Sequence, residues 1–440
     1  MPSSSSVPAS HRPGPRGLRG LRGNADFGWL WAGQTASQFG EQATLIILPL
    51  IAVLTLHAGP DELGLLRAVG QAPLLLLTLF VGAWVDGRRT RTVMALADAG
   101  RAVALGGLAA AAWFGLLGLP ALLAGVFAVR SMSVVFDVAY QASLVRLVER
   151  DQLVRGNSAL EGSRSAAQVS GLGLGGLAAT ALPAAAAVAS CVPLFALSAL
   201  SIRRIRRERP PERRQRCRRL GPEIRDGLRF VAGHRLLRAV GLASAAFQFF
   251  FAAAMTILLL FLTRELHLAG TAVGLVLAAT GPGALAGALL AARLPGRAGY
   301  GPVLVSAAAL GEGVMVCVPA LHGPPMVTIP AVAAVMFVFG ACGQLVDVTI
   351  MAVRQAVTPA GMQGRASATI TFAGMGLVPL GSLLGGFLGQ DWGLRAGLLA
   401  AVAGMMLSPA VIALSPLARL GRTLPGPASL TAPAEPPGGR

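Results

Sequence analysis

The sequence predicts an all-α membrane protein of twelve transmembrane helices, arranged as two pseudo-symmetric six-helix bundles. The composition is the first reason: 54% hydrophobic residues, 13% charged residues and a mean hydropathy of +0.66 exclude an ordinary soluble domain of 440 residues. The second is length. Apolar stretches fall at 27–56, 62–85, 92–117, 120–147, 152–181, 183–202, 238–262, 270–292, 301–320, 325–353, 362–390 and 393–415. Each reaches the roughly 20 residues that a helix rising ~1.5 Å per residue needs to cross ~30 Å of hydrocarbon. They are too long for barrel strands, and an open sheet edge cannot stay unpaired in lipid. The third reason is an internal repeat with a constant offset of 210 residues. It relates Asp137 to Asp347, Arg155 to Arg365, Gly171 to Gly381, Gly175 to Gly385, Gly176 to Gly386, Gln38 to Gln248, Gly64 to Gly274 and Val93 to Val303. Parallel repeats of six spans place a substrate site near mid-membrane, between the halves.

Taken in order, residues 1–26 are rich in Ser, Pro, Gly and Arg and lack an apolar run ending in a cleavage site, so they read as a disordered cytoplasmic tail and not as a signal peptide. The N-terminal bundle covers 27–202, and an Arg-rich cytoplasmic linker covers 203–237. Within that linker Ile224, Leu228 and Val231 recur at helical spacing between Arg225, Asp226 and Arg229, predicting an amphipathic helix on the inner membrane surface. The C-terminal bundle covers 238–415, and 416–440 form a second disordered tail. The net charge of +18 lies on alternate loops, in the N-terminal tail, after spans 2 and 4, and in the central linker. Arg264 and Arg395 are the main exceptions. This is the positive-inside pattern, which puts both termini in the cytoplasm. Because topology accounts for the charge and no aromatic residues interleave with it, nucleic acid is not an expected partner. Every basic chain is arginine, a bias expected of a GC-rich bacterial genome. Cys191, Cys217, Cys317 and Cys342 show no paired spacing, so no metal site or disulfide framework is expected. Without lysine there is no Walker-type phosphate loop, so ATP is not expected to drive the protein directly. A transporter reading expects no enzyme activity and no cofactor.

Between spans 2 and 3, Gly82, Asp86, Gly87, Arg88, Arg89 and Arg91 resemble the signature loop of the major facilitator superfamily. Gly82 would let helices approach closely, Asp86 would cap the next helical segment, and the arginines would hold the cytoplasmic gate through ion pairs. Arg89 stands where the family usually has a second glycine. The corresponding loop of the second half, Arg293 to Arg297, has lost the acid. In span 5, Gly171, Gly173, Gly175 and Gly176 resemble the glycine motif of proton-coupled exporters in that superfamily, with Leu172 where proline is usual. The order of Phe136 to Tyr140, a short charged loop and Arg155 to Ser158 is similar to the branch of bacterial macrolide-efflux and enterobactin-exporter proteins. The resemblance implies the major facilitator fold, a monomer in the bacterial cytoplasmic membrane, and export of a small lipophilic drug, antibiotic or secondary metabolite in exchange for protons. A nutrient importer of the same fold, and a nontransporting membrane sensor or scaffold, remain alternatives.

Polar side chains inside apolar spans are costly and normally face the bundle interior, so they are the candidate site. In span 1 Gln34, Gln38, Glu41 and Gln42 share one helical face. Glu41, near mid-membrane, suits a group that loads and releases a proton, and equally a hydrogen-bonded packing residue. In span 5 Glu161, Arg164 and Gln168 form a second stripe, in which Glu161 and Arg164 either pair together or meet substrate. Arg130 of span 4 resembles the mid-helix arginine associated with proton coupling in the superfamily. Gln248, Gln344 and Glu312 are the candidates of the second half, Glu312 as a further protonatable group. Asp137 and Arg155 are 18 residues apart, as are Asp347 and Arg365, and each pair is expected to latch the cytoplasmic end of its half in the outward-facing state. Few cavity charges and only five Trp and two Tyr favour a lipophilic substrate over a sugar.

Overall fold

The computed structural model describes residues 25–86, 88–147, 153–205, 220–359 and 362–424, and the regular structure among them is helical throughout. Spans 1 to 5 are Ala25–Leu54, Pro60–Asp86, Thr90–Trp113, Leu119–Leu147 and Leu153–Ala181. Span 6 comprises Ala184–Ala189 and Val192–Arg203. In the second half, span 7 is Arg235–Leu260 with a wider turn at Phe261–Glu265, span 8 is Gly270–Ala278 with Thr280–Ala291, and span 9 is Tyr300–Val314 with Cys317–Ala320. Span 10 is Pro325–Val357, span 11 is Gln363–Met375 with Val378–Asp391, and span 12 is Leu394–Met405 with Leu407–Leu414. Ten of these meet the length and hydropathy of a membrane crossing. The other two, spans 2 and 5, are helices of 27 and 29 residues.

Prolines explain the interrupted spans. Each break lies just ahead of one of Pro193, Pro282, Pro319, Pro379 and Pro409. Proline has no N–H to donate, and its ring displaces the carbonyl four residues back, so the helix bends or restarts there. Pro49, Pro73 and Pro330 are accommodated inside continuous helices. Large apolar side chains such as Phe80, Trp113 and Leu414 point outward, as expected of lipid-facing surfaces.

The sequence repeat is a repeat of contacts. A methyl group added at Gly175 would sit 3.0 Å from the α-carbon of Ala43, and one at Gly385 would sit 2.8 Å from that of Ala253, 210 residues on in both helices. These glycines seat span 5 on span 1 and span 11 on span 7. Gly176 lies against Gly270 and Gly274, and Gly386 against Pro60 and Gly64, so the same device joins span 5 to span 8 and span 11 to span 2 across the two halves. The helix ends that lead into these seams also match. His57 and His267 both take left-handed backbone, with φ of 54° and 51°. Ala58 N–H donates to the Ala52 carbonyl at 2.8 Å and Leu268 N–H to that of Leu262 at 2.9 Å.

All these cross-half seams lie at the end of the bundle away from Ala25 and the Pro416–Arg419 turn. One asymmetric contact adds to them: Arg264 donates to the carbonyls of His57 at 3.2 Å and Ala58 at 2.6 Å. Its repeat counterpart is Leu54, so the clamp exists once. At the other end, the linker helix Leu220–Gly233 packs on span 11, with Gly227 against Arg365 and Thr369. Val231 is buried there while Leu228 is 58% exposed, so the apolar positions expected on one membrane-facing stripe divide between packing and surface.

Backbone seams make a sharp steric prediction. Gly176→Val and Gly386→Val should each destabilise the purified protein by about 1–3 kcal/mol through overpacking, read as a lower Tm. Gly173→Ala should leave Tm unchanged or higher, because a methyl group there meets open space. Equal Tm loss at all three positions would contradict the seam.

Candidate functional site

Between the halves lies a cavity of about 340 Å³, bounded by spans 1, 2, 4, 5 and 6 on one side and 7, 8 and 11 on the other. Its wall is mainly apolar, with Leu45, Leu48, Val126, Phe251 and Met255 among the contributors. Its polar members include Glu41, Arg67, Gln71, Arg130 and Gln248. Such a composition suits a partly apolar ligand oriented by a few convergent polar groups.

Glu41 is the outer member of a buried ionic network. Its Oε1 accepts from Arg130 Nη1 at 2.7 Å, and its Oε2 lies 3.6 Å from Arg101 Nη1. Arg130 Nε also donates to the Gly70 carbonyl at 3.3 Å, tying span 4 to span 2. Arg101 and Asp98 of span 3 are both fully buried, and they pair directly. Arg101 further donates to Ser37 at 3.1 Å and Ser133 at 3.4 Å, while Ser198 donates to Asp98. The Arg101 guanidinium lies between the rings of Phe136 and Phe195, at 4.5 and 4.7 Å from their centroids. Two arginines thus face two carboxylates, which removes the net charge that makes an isolated buried ion so costly.

The expected site residues fall into groups. Glu41 and Arg130, singled out separately, meet as a pair, and Gln248 joins them on the cavity wall. Gln34 and Gln38 are buried in span 1, and Gln42 packs on Gly171, so the rest of that stripe serves the interior of the N-terminal half. Arg164 and Gln168 are exposed and Gln344 is half-buried, none of them on this wall. Arg88 lies over the Trp84 ring, and Arg91 donates to the Ile205 carbonyl at 2.5 Å, so the signature-loop arginines hold the N-terminal half to its own spans. Arg89 is exposed. Arg365 lies 3.9 Å from Asp226 of the linker helix. Asp137 is exposed, and Asp347, with Glu312, lines a separate smaller cavity inside the second half. Gly87 lies outside the described residues, as do the surroundings of Gly82 and the side chains of Asp86, Arg155 and Glu161.

Four polar residues escaped the sequence reading. Asp98 and Arg101 were visible as an i, i+3 pair of opposite charge in an apolar span, a signal of the same kind as the stripe of span 1. Arg67 and Gln71 of span 2, one turn apart, leave Nε and Oε1 respectively without a hydrogen-bond partner among the described residues, at the wall of the central cavity.

Comparison with known proteins follows from this architecture. No curated protein sequence matches the chain. Among solved structures, a mutant of the nucleoside transporter NupG superposes with a TM-score of 0.73 at 11% identity, covering 88% of this chain and 98% of that one. A bacterial homologue of the iron transporter ferroportin in its inward-facing state gives 0.72 at 17% identity, covering 90% and 98%. A bacterial homologue of the iron transporter ferroportin in an outward-facing state gives 0.58 at 16% identity, covering 88% and 98%. The profile of the transmembrane secretion effectors, a family of major facilitator transporters, matches residues 19–427. The chain belongs to that family.

Proposed function

We propose that this major facilitator transporter exports a small lipophilic compound in exchange for protons, with Glu41 as the group that exchanges them. The observation that carries the reading is the Glu41–Arg130 pair on the wall of a mainly apolar cavity between the two halves. Protonation of Glu41 frees Arg130 and Arg101 from it, and a substrate acceptor group can then take the released donors. Arg67 and Gln71 offer further hydrogen bonds to the same compound. Proton and substrate therefore stabilise different states of one cavity, and that difference in affinity is what couples their movements.

Direction and sidedness rest on the arginines. The loops at the end that carries both termini hold most of the positive charge, which favours the cytoplasmic side. The end sealed by the glycine seams and by Arg264 is then external, and the conformer is inward-facing. The higher TM-score to the inward-facing ferroportin homologue than to the outward-facing one supports this assignment. Alternating access requires the seams at Gly176 and Gly386 to open as the other end closes, where Asp137 with Arg155 and Asp347 with Arg365 would latch. Glu312 would be a second protonatable group.

Two outcomes are expected. In inside-out vesicles holding a pH gradient, lipophilic substrates should discharge the gradient, and Glu41→Gln should reduce uphill accumulation about tenfold or more while passive exchange persists. Unchanged uphill transport by that variant would remove Glu41 from the role. Arg264→Gln should accelerate labelling, from the external face, of a cysteine placed at the cavity position Met255. An unaltered rate in a normally expressed variant would show that Arg264 does not hold that end shut.

A further inference from the structure

The repeat exposes a difference between the halves that the transport reading does not use. In the first half a buried guanidinium, that of Arg101, sits among Asp98, Ser37, Ser133 and Ser198. Adding the offset of 210 turns Arg101 into Gly311, Asp98 into Ala308, Ser133 into Gly343 and Ser37 into Phe247, and leaves Ser198 as Ser408. Phe247, Ala308, Gly311, Gly343 and Ser408 all line one cavity of about 80 Å³ inside the second half. Where the first half seats its own cation the second half has a cavity among the corresponding residues, while at Gly311 itself a methyl group would meet the β-carbon of Cys342 at 2.6 Å.

Both carboxylates that pair with Arg101 are lost with it, Asp98 to Ala308 and Glu41 to Phe251, and two others stand here instead. Glu312, next to Gly311, and Asp347, the counterpart of Asp137, line this cavity, and no basic side chain does. Glu312 is 5% exposed, and its Oε2 has no hydrogen-bond partner among the described residues. A buried carboxylate in that condition gains most from a charged donor. Phe247 and Phe339 add aromatic faces and stack with Phe251, at centroid distances of 5.2 and 5.6 Å. Phe251 itself lines the central cavity, so the three rings partition the small cavity from the large one. Aromatic faces beside carboxylates attract organic cations.

We infer that the second half binds a small organic cation of the guanidinium or ammonium class, with Glu312 and Asp347 as its acceptors and Ser408 as a supporting contact. The cation takes the place that Arg101 fills in the first half. Its source is either a free ion or the cationic end of a transported compound reaching past the phenylalanines. The site shares Glu312 and Asp347 with the roles proposed for them above, and because binding is read without a gradient its test is separate from that of proton exchange.

Equilibrium dialysis of labelled guanidinium against the full-length protein in detergent, with choline balancing ionic strength, tests this directly. Saturable binding is expected. Glu312→Gln and Asp347→Asn should each weaken it about tenfold or more, Ser408→Ala less, and Glu265→Gln at the sealed end not at all. Competition by phenethylammonium far tighter than by methylammonium would identify the cationic end of a larger compound, and equal competition a free ion. Monodisperse protein with no saturable uptake, or uptake indifferent to both acidic substitutions, would overturn the inference.

Discussion

Where Gly176 meets Gly270, and where Gly386 meets Pro60, the two halves approach so closely that a methyl group would strike a backbone carbonyl at 2.3 and 2.9 Å. Between helices surrounded by lipid there is little hydrophobic drive to associate, so such backbone approach supplies the packing that larger side chains would prevent. The central cavity depends on it. With spans 2 and 11, and 5 and 8, pressed together at one end, the diverging spans leave about 340 Å³ between the halves, and that space is where Glu41 faces the second half. The seams are mainly small-residue contacts, linked by side chains through the Thr180–Thr271 hydroxyl contact at 2.8 Å and the bonds of Arg264, so separating them costs packing along two narrow lines and breaks few directional bonds.

The ionic network works differently. Asp98, Arg101, Glu41 and Arg130 connect spans 1, 3 and 4, and Ser198 extends the connection to span 6. A charge removed from water is tolerated only with its partner in place, so this half moves as a body as long as the network is complete. Glu41 and Arg130, at the edge of the network and on the cavity wall, are the members open to a ligand. The second half has no such internal lock at the equivalent position, where Gly311 and its neighbours leave a cavity. Two halves from one duplicated sequence have thus diverged into one that carries its cation covalently and one that is shaped to receive it.

Much of the fold was legible because the offset of 210 residues is a physical constraint and not only a likeness of letters. Gly175 and Gly385 recur because each must let a helix reach the backbone of Ala43 or Ala253. The glycines of span 5 were readable as close-packing positions, yet a methyl group on Gly173 would point into open space while one on Gly176 would strike Gly270, and only geometry separates the two. Among the charges, Glu41 and Arg130 could each be found as costly residues in apolar spans, whereas their pairing across 89 positions depends on how spans 1 and 4 cross. Asp98 and Arg101 were readable and were passed over, since a neighbouring pair of opposite sign resembles an ordinary helix ion pair until burial is known. Arg67 and Gln71 carried the same signal, polar residues one turn apart in an apolar span, and their meaning comes from the cavity they face. The proline breaks in spans 6, 8, 9, 11 and 12 shift helix limits by a few residues without altering the number of crossings.

The central claim is that this chain is a rocking machine whose two ends open alternately, and distance measurement tests that most directly. Spin labels at Thr55 and His322 span the sealed end, and labels at Arg89 and Arg297 span the end that carries the termini. Pulsed electron resonance on the reconstituted protein, with the native cysteines removed, should show the first distance lengthening and the second shortening together when pH and substrate are varied. Two distances that stay fixed, or that change in the same sense, would contradict alternating access in this chain.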